Sequence, residues 1–111
     1  MRFHHYGLEV DNLEESVAFY KKHLMLQEES RIFFMGEKIV LLTAGDFRLE
    51  LISNQHEEKN AHLCFEVNDL SEALELFNSH QKIEGPYKLE NGWKTIFYEG
   101  PNNTIIEFLQ V

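Results

Sequence analysis

The sequence has little of three features that would each point to a particular class of protein. Its one cysteine, Cys64, allows no disulfide within the chain, which suits a reducing compartment. No apolar run is long enough to cross a bilayer, and the first residues, Met-Arg-Phe-His-His, lack the charged, apolar and small-residue regions of a signal peptide. Basic residues are also scarce. The first two absences predict a location in the cytoplasm.

The charge balance argues against the commonest anionic partners. Ten basic residues stand against 19 acidic ones, which gives a formal net charge of −9 and a pI near 5.0. Such a chain repels phosphate backbones and anionic lipid surfaces. We therefore expect no nucleic acid and no membrane partner, and a small-molecule substrate instead.

The remaining composition is that of one folded domain. Hydrophobic residues make up 43% of the 111 residues and aromatic residues 13%, with only two prolines and six glycines. A chain of this length can bury one core, whereas two independent cores would each be near the lower size limit for folding alone. We expect a single domain over residues 1–111.

The chain repeats itself at an offset of 57 residues. Residues 4–24 align without a gap with residues 61–81, and the same offset aligns residues 49–51 with residues 106–108. The identical pairs are His5 with His62, Glu9 with Glu66, Val10 with Val67, Leu13 with Leu70, Glu15 with Glu72, His23 with His80, and Glu50 with Glu107. Agreement that extends from the first strand to the last indicates a duplication.

Each half predicts the same series of elements, a strand, a helix and three further strands. Alternation predicts first strands at 5–10 and 62–67, and helices follow sequences typical of capping boxes, Asn12 with Glu15 and Asp69 with Glu72. The helical core positions are Leu13, Val17, Leu24, Leu70, Leu74 and Phe77. The later strands are predicted at 31–35, 38–43, 47–52, 87–89, 93–98 and 104–109. The fold class is therefore α+β, with two tandem βαβββ modules at residues 1–54 and 60–111 joined by the polar linker 53–60.

Strand alternation separates a core face from a face that carries ligand-type side chains. If the neighbouring apolar residues pack against the helices, the opposite face carries His5, Glu50, His62 and Glu107. A lone histidine or glutamate in a strand is usually a satisfied or solvated polar residue, but the duplication makes chance a poor explanation for all four. Two imidazoles and two carboxylates suit nickel, cobalt, zinc, manganese or iron. We predict that the four side chains hold one divalent ion, provided that the sheets curve around a shared cavity.

At these residues the chain resembles the vicinal oxygen chelate superfamily, which includes glyoxalase I, fosfomycin resistance proteins, methylmalonyl-CoA epimerase and the extradiol dioxygenases. The resemblance covers the whole chain. It rests on His5, on the helix sequence LEESVAFYKKHL and on the ending FYEGPNNTIIEF, in which Glu107 lies six residues after Pro101. It implies paired βαβββ modules whose curved mixed sheets form a cavity.

Within this superfamily the ligand set favours one activity. Glyoxalase I carries the order His, Glu, His, Glu, which this chain reproduces. The epimerase typically has glutamine at the position of Glu50, fosfomycin enzymes and dioxygenases use two histidines and one glutamate, and bleomycin-binding proteins usually lack the ligands. The resemblance therefore implies a lactoylglutathione lyase-like metalloenzyme in which Glu50 or Glu107 is the catalytic base. Epimerase-like, fosfomycin-resistance-like and non-catalytic binding functions are the alternatives.

The predicted substrate-binding residues are Glu9, Arg48, Asn54 and Trp93. Asn54 matches an asparagine with which bacterial glyoxalase I contacts glutathione, but Glu9 stands where that enzyme usually has an arginine for a glutathione carboxylate. Glu9 and its repeat equivalent Glu66 disfavour an anionic tripeptide, so we expect another thiol, or a different α-hydroxycarbonyl or CoA-type substrate, in place of glutathione.

The resemblance also implies an assembly. Close relatives form homodimers in which the first histidine and glutamate of one subunit meet the second pair of the other. We therefore expect a homodimer whose sites are shared between subunits. The alternative is that both halves of one chain form the site together.

Overall fold

The computed structural model describes residues 1–78 and 82–111, and its backbone contacts divide the chain into two compact units. The N-terminal unit is residues 5–61, and the C-terminal unit is residues 1–4 together with residues 62–111. The elements in chain order are β1 (Arg2–Val10), α1 (Leu13–Leu24), β2 (Gln27–Phe34), β3 (Glu37–Ala44), β4 (Phe47–Ser53), β5 (Ala61–Glu66), α2 (Leu70–Leu76), β6 (Lys82–Lys88), β7 (Lys94–Glu99), a 3-10 turn (Pro101–Asn103) and β8 (Ile105–Gln110). Each half therefore has the predicted order βαβββ.

The N-terminal unit is a four-stranded mixed sheet with α1 against one face. Strand β1 is parallel to β4, in register from Tyr6 with Leu49 to Val10 with Ser53. Strands β2, β3 and β4 are antiparallel neighbours, so the order across this sheet is β2-β3-β4-β1. The core between sheet and helix contains Leu13, Val17, Leu26, Val40, Leu42, Leu49 and Leu51. This side of the sheet stabilises the unit, because it removes the apolar surface of both elements from water.

The C-terminal unit repeats this arrangement. Strand β5 is parallel to β8, in register from His62 with Ile105 to Glu66 with Leu109, and β8, β7 and β6 are antiparallel neighbours. The core against α2 contains Val67, Leu70, Ala73, Ile96, Tyr98 and Phe108, with Phe65, Phe77 and Ile106 packed at its margin. Three aromatic rings meet here, since Phe77 lies 5.1 Å from Tyr98 and 5.0 Å from Phe108 between ring centroids. The rings give this core most of its volume, and α2 contributes Leu70 and Ala73 to it.

Two residues that helical spacing assigned to the core lie on the surface instead. Leu24 is 57% exposed and Leu74 is 45% exposed. Leu24 is the last residue of α1, and in α2 it is Ala73, fully buried, that faces the sheet in place of Leu74. Strand β2 also begins at Gln27, before its predicted start at Arg31. The prediction missed its first residues because they are polar and exposed and carry no apolar alternation.

Each helix begins at an N-cap side chain. Asn12 Oδ1 accepts a hydrogen bond from the backbone N–H of Glu15 at 3.1 Å, as in the first half of a capping box. Asp69 accepts from the N–H of Ser71 at 2.9 Å, while Glu72 accepts from the N–H of Asn68 at 3.3 Å. The bond from Ser71 lowers the pKa of Asp69. No helix in the described part of the chain is long and apolar enough to span a membrane.

The two caps should respond differently to pH. Replacing Asn12 with alanine should lower the free energy of unfolding by about 1 kcal/mol, equally at neutral and acid pH, because the amide does not titrate. Asp69→Ala should destabilise at neutral pH, and its effect should shrink in acid. The folded pKa of Asp69 lies below its unfolded value, so its contribution is present above the unfolded pKa and is lost as the pH falls through the folded pKa. Urea unfolding of both variants at about pH 7 and about pH 3 measures this. An Asp69→Ala effect that does not change with pH would show that the charge contributes nothing.

Candidate metal centre

In the N-terminal unit, His5 of β1 and Glu50 of β4 lie side by side on the sheet face that points away from α1. Gly7 is the register partner of Glu50, so His5, two residues earlier, has its side chain on the same face. The alternate residues Tyr6 and Leu49 belong to the core under the helix. Nε2 of His5 is 3.3 Å from Oε1 of Glu50, and both residues are buried.

The C-terminal unit contains the equivalent pair, His62 of β5 and Glu107 of β8. Cys64 is the register partner of Glu107, so His62 again lies two residues earlier on the same face. Nε2 of His62 is 3.1 Å from Oε1 of Glu107, and these residues are 7% and 6% exposed. Phe97 is the partner of Glu107 in β7, and its ring meets the His62 ring at right angles with centroids 6.3 Å apart. The Phe97 ring therefore covers part of the His62 imidazole.

The separations within both pairs suit two neighbouring ligands on one metal ion. With bonds of about 2.0 to 2.2 Å, ligands at a right angle are about 3.0 Å apart and ligands at a tetrahedral angle about 3.4 Å. The two observed distances, 3.3 Å and 3.1 Å, fall between these values. A direct hydrogen bond from imidazole to carboxylate has a similar length, so the distance alone fits either state. The burial of both pairs shows that each carboxylate needs a positive partner, because an ionised carboxylate removed from water is unfavourable without one. A protonated imidazole or a metal ion would supply that positive charge.

Thr95 of β7 is a site residue that the sequence did not reveal. Its hydroxyl donates to Oε2 of Glu107 at 2.5 Å, and Oγ1 also lies 3.2 Å from the backbone carbonyl of Phe108. Thr95 is the register partner of Leu109, which places it on the same face as Glu107. To predict this diagonal contact from the sequence, the exact length of the turn between β7 and β8 would have been needed, because that length sets which residues of the two strands lie opposite each other.

Glu9 and Asn54 lie where the chain leaves the sheet of the N-terminal unit, and both side chains hold the segment that follows β4. Oε1 of Glu9 accepts from the backbone N–H of Asn60 at 2.7 Å, and the N–H of Glu9 donates to the Asn60 carbonyl at 3.1 Å. Oδ1 of Asn54 accepts from the N–H of His56 at 2.9 Å. Glu9 shares the sheet face of His5 and Glu50, so its carboxylate is fixed on that face.

Glu66, the repeat equivalent of Glu9, is engaged in a different way. It forms an ion pair with Arg2 at the start of β1, and both residues belong to the C-terminal unit. The Arg2 side chain is 63% exposed, so water screens this pair. The two glutamates that were expected to repel an anionic substrate therefore differ, because Glu66 pairs with an arginine and Glu9 accepts a hydrogen bond from a backbone N–H.

Arg48 and Trp93, the other predicted substrate-binding residues, occupy different surroundings. Arg48 lies two residues before Glu50 on the same strand face, where its guanidinium makes two bonds to the carboxylate of Glu29, at 2.9 Å and 3.1 Å. Trp93 precedes β7, and its ring meets the His4 ring at right angles with centroids 5.4 Å apart. The N-terminal unit thus brings Glu9 and Arg48 onto the face of its histidine and glutamate.

Two cavities in the individual units lie apart from the histidine–glutamate pairs. One of about 480 Å³ in the N-terminal unit is lined by residues of β1 and α1 with Lys59, which is paired with Asp11 at 2.8 Å. The other, of about 260 Å³, is apolar and lies beside Phe65, Phe77 and Pro101 in the C-terminal unit. Neither cavity is lined by a residue of these pairs.

Several solved structures have a similar fold, and the similarity covers nearly the whole chain. A hypothetical protein from Bacillus halodurans C-125 superposes with a TM-score of 0.82 at 21% identity, covering 99% of this chain and 94% of that one. Methylmalonyl-CoA epimerase from Mycobacterium tuberculosis has a TM-score of 0.81 at 15% identity, covering 98% and 87%. A methylmalonyl-CoA epimerase variant from Streptomyces coelicolor, bound to 2-nitronate-propionyl-CoA, has a TM-score of 0.81 at 16% identity, covering 99% and 94%. At these identities the likeness shows the fold.

The sequence itself establishes the family. A search of curated proteins gave no significant match. Residues 2–108, however, match the family model described as Glyoxalase/Bleomycin resistance protein/Dioxygenase superfamily, which confirms the resemblance and the α+β fold of two βαβββ modules. The chain belongs to the Glyoxalase/Bleomycin resistance protein/Dioxygenase superfamily.

Proposed function

We propose that the two histidine–glutamate pairs together hold one divalent metal ion, and that the protein is a glyoxalase I-like enzyme acting by proton transfer next to a carbonyl. The observation that carries this proposal is the buried pairing of an imidazole and a carboxylate at the separation of neighbouring ligands, made once in each unit at repeat-related positions. A single solvated pair would carry little weight. The same pair built twice on strands of the same register is hard to explain by packing alone.

The donor set fits a divalent ion of the borderline class. Two imidazole nitrogens and two carboxylate oxygens suit nickel, cobalt, zinc, manganese or iron, and a site without thiolates can keep positions open for a substrate. The ligands would be His5, Glu50, His62 and Glu107. The chemistry that a bound ion supplies is Lewis-acid stabilisation of negative charge on substrate oxygens.

The carboxylates of the pairs would move the proton. In the proposed reaction, Glu50 or Glu107 takes the hydrogen from the hemithioacetal carbon and returns it to the neighbouring carbonyl carbon. The proton of the hydroxyl on the first carbon passes to the oxygen of the former carbonyl. The first carbon becomes the thioester carbonyl and the second carries the hydroxyl, so the product is an isomer of the substrate. Burial around the pairs helps, because a proton held there exchanges little with water. Which carboxylate acts would depend on the handedness of the substrate.

Substitution of each histidine of the pairs tests the proposed metal site. His5→Ala and His62→Ala should each weaken cobalt binding by at least about 100-fold, since each removes a ligand. His56→Ala, an exposed histidine of the loop after β4, is the matched control and should bind as the wild type does. Calorimetric titration of the metal-free proteins measures the affinities. Equal binding by the wild type and both pair variants would contradict the proposal.

Mixing the two variants then distinguishes shared sites from sites within one chain. If sites are shared in a dimer, a mixed dimer has one site with both substitutions and one with neither, so strong binding returns when the proteins are mixed after unfolding and refolding. If each chain forms its own site, every site keeps one defect and no binding returns. Light scattering of the wild type gives the oligomeric state.

The proton-transfer assignment predicts a kinetic defect in glutamate variants that retain their metal. Glu50→Gln or Glu107→Gln should lower kcat by about 10² to 10⁴-fold for the substrate on which that carboxylate acts, because a base of this kind contributes that much. Metal content measured beside each assay separates a lost base from a lost ligand. A pair of variants that both retain metal and wild-type turnover would refute this role for either carboxylate.

The position of Glu9 predicts the choice of thiol. Its carboxylate is held by the Asn60 N–H at 2.7 Å, so it stays on the face of the pair and should disfavour the anionic glutathione adduct. Glu9→Gln keeps a hydrogen-bond acceptor and removes the charge, and should raise the kcat/KM ratio of glutathione to an uncharged thiol, both assayed as adducts of methylglyoxal with the metal-reconstituted enzyme. Efficient wild-type use of glutathione would refute the inference.

The solved structures favour an epimerase-like activity as the second candidate. Two of those with a similar fold are methylmalonyl-CoA epimerases, and one holds a CoA ligand. Proton removal next to a thioester carbonyl would use the same carboxylates. Interconversion of the two epimers of methylmalonyl-CoA, with no turnover of any thiol adduct, would replace the glyoxalase assignment by this one. If a bound small molecule stayed in place after chelation and neither assay gave turnover, the protein would be a binder.

A further inference from the structure

The hydrogen bond from the Thr95 hydroxyl to Glu107 is shorter than most hydrogen bonds between neutral groups. At 2.5 Å from Oγ1 to Oε2, the bond is at the short end of the range for a hydroxyl that donates to an ionised carboxylate. Oγ1 is also 3.2 Å from the Phe108 carbonyl, but a hydroxyl has one proton, and the shorter bond identifies Glu107 as its acceptor. Thr95 is 1% exposed and Glu107 is 6% exposed, so water does not compete for this bond.

The two oxygens of the Glu107 carboxylate have different partners. Oε2 is held by Thr95, while Oε1 is directed to Nε2 of His62 at 3.1 Å. Threonine is branched at Cβ and stiff about χ1, so its hydroxyl points in a fixed direction. Buried on β7 beside β8, it can hold the carboxylate plane before any ion arrives.

The two halves of the chain have different side chains at the sheet position of Thr95. The register partner of Thr95 is Leu109, and the residue aligned with Leu109 at the offset of 57 is Ile52, whose partner on β3 is Ile39. A threonine thus occupies the sheet position at which the first half has an aliphatic side chain. The duplication preserved the histidines and glutamates but changed this neighbour.

We propose that Thr95 is a positioning residue that fixes Glu107 as a ligand through one oxygen, Oε1. The inference rests on the proposed metal site. Groups that hold a metal ligand from behind, as this hydroxyl would, typically account for about 10- to 100-fold in metal affinity or activity. Without the hydroxyl, the Glu107 carboxylate could rotate, bind through both oxygens or leave the ion.

Three substitutions separate the hydroxyl from the shape of the side chain. Thr95→Val keeps the shape and removes the hydroxyl, Thr95→Ser keeps the hydroxyl and removes the methyl group, and Thr95→Ala lacks both. Cobalt affinity by calorimetry should fall about 10- to 100-fold for the valine and alanine variants and stay within about threefold of the wild type for serine. The visible spectrum of bound cobalt, which reports coordination number and geometry, should change in the first two variants and be retained in the third.

The comparison with His62→Ala makes the outcomes distinct. If His62→Ala binds cobalt as the wild type does, the metal site itself is wrong and the proposed function fails. If His62→Ala loses affinity while the Thr95→Val and Thr95→Ala proteins keep both the affinity and the spectrum, only the positioning role is overturned. If the Thr95→Val variant fails to fold, the comparison of Thr95→Ser with Thr95→Ala still tests the role of the hydroxyl, because these two side chains differ by one oxygen atom. Urea unfolding of the metal-free variants provides the folding control.

Discussion

The candidate site depends on burying a carboxylate beside an imidazole on one face of a sheet. An ionised carboxylate out of water is unfavourable unless a positive partner and hydrogen bonds compensate it. Each unit makes this arrangement once, with less than a tenth of any of the four residues exposed. The other face of each sheet, packed on its helix, supplies the apolar burial that holds the strands together. Stability and ligand placement are thus divided between the two faces of the same strands.

Parallel pairing of the first and last strand of each unit places the two side chains together. In β1 and β4 the partner of Glu50 is Gly7, and in β5 and β8 the partner of Glu107 is Cys64. In both units the histidine precedes that partner by two residues, so alternation returns it to the same face one step along the neighbouring strand. A slip of one residue in either pairing would turn the carboxylate into the helix core. The register of a parallel pair of strands therefore fixes the donor geometry in each unit.

The sequence predicted the features that depend on periodicity and repetition. The βαβββ order and the face shared by each histidine and glutamate follow from alternation, and the repeat made them credible. Contacts that depend on turn length or on segments outside the strands could not be predicted in this way. The bond from Thr95 to Glu107 is diagonal across β7 and β8, and the Glu9 carboxylate meets a backbone N–H of the segment after β4. Leu74 was misassigned because an apolar spacing cannot distinguish it from Ala73, which lies one position along the helix.

The duplication kept the donors and changed what surrounds them. Opposite Glu50 in β3 stands Leu41, and opposite Glu107 in β7 stands Phe97. Thr95 and Ile39 occupy equivalent sheet positions, as do Cys64 and Gly7. Two carboxylates with the same ligand role would be interchangeable only if their neighbours matched, and these neighbours differ in size, polarity and aromatic character. The surroundings of the two pairs are therefore chemically distinct, although the histidine and the glutamate repeat in each unit.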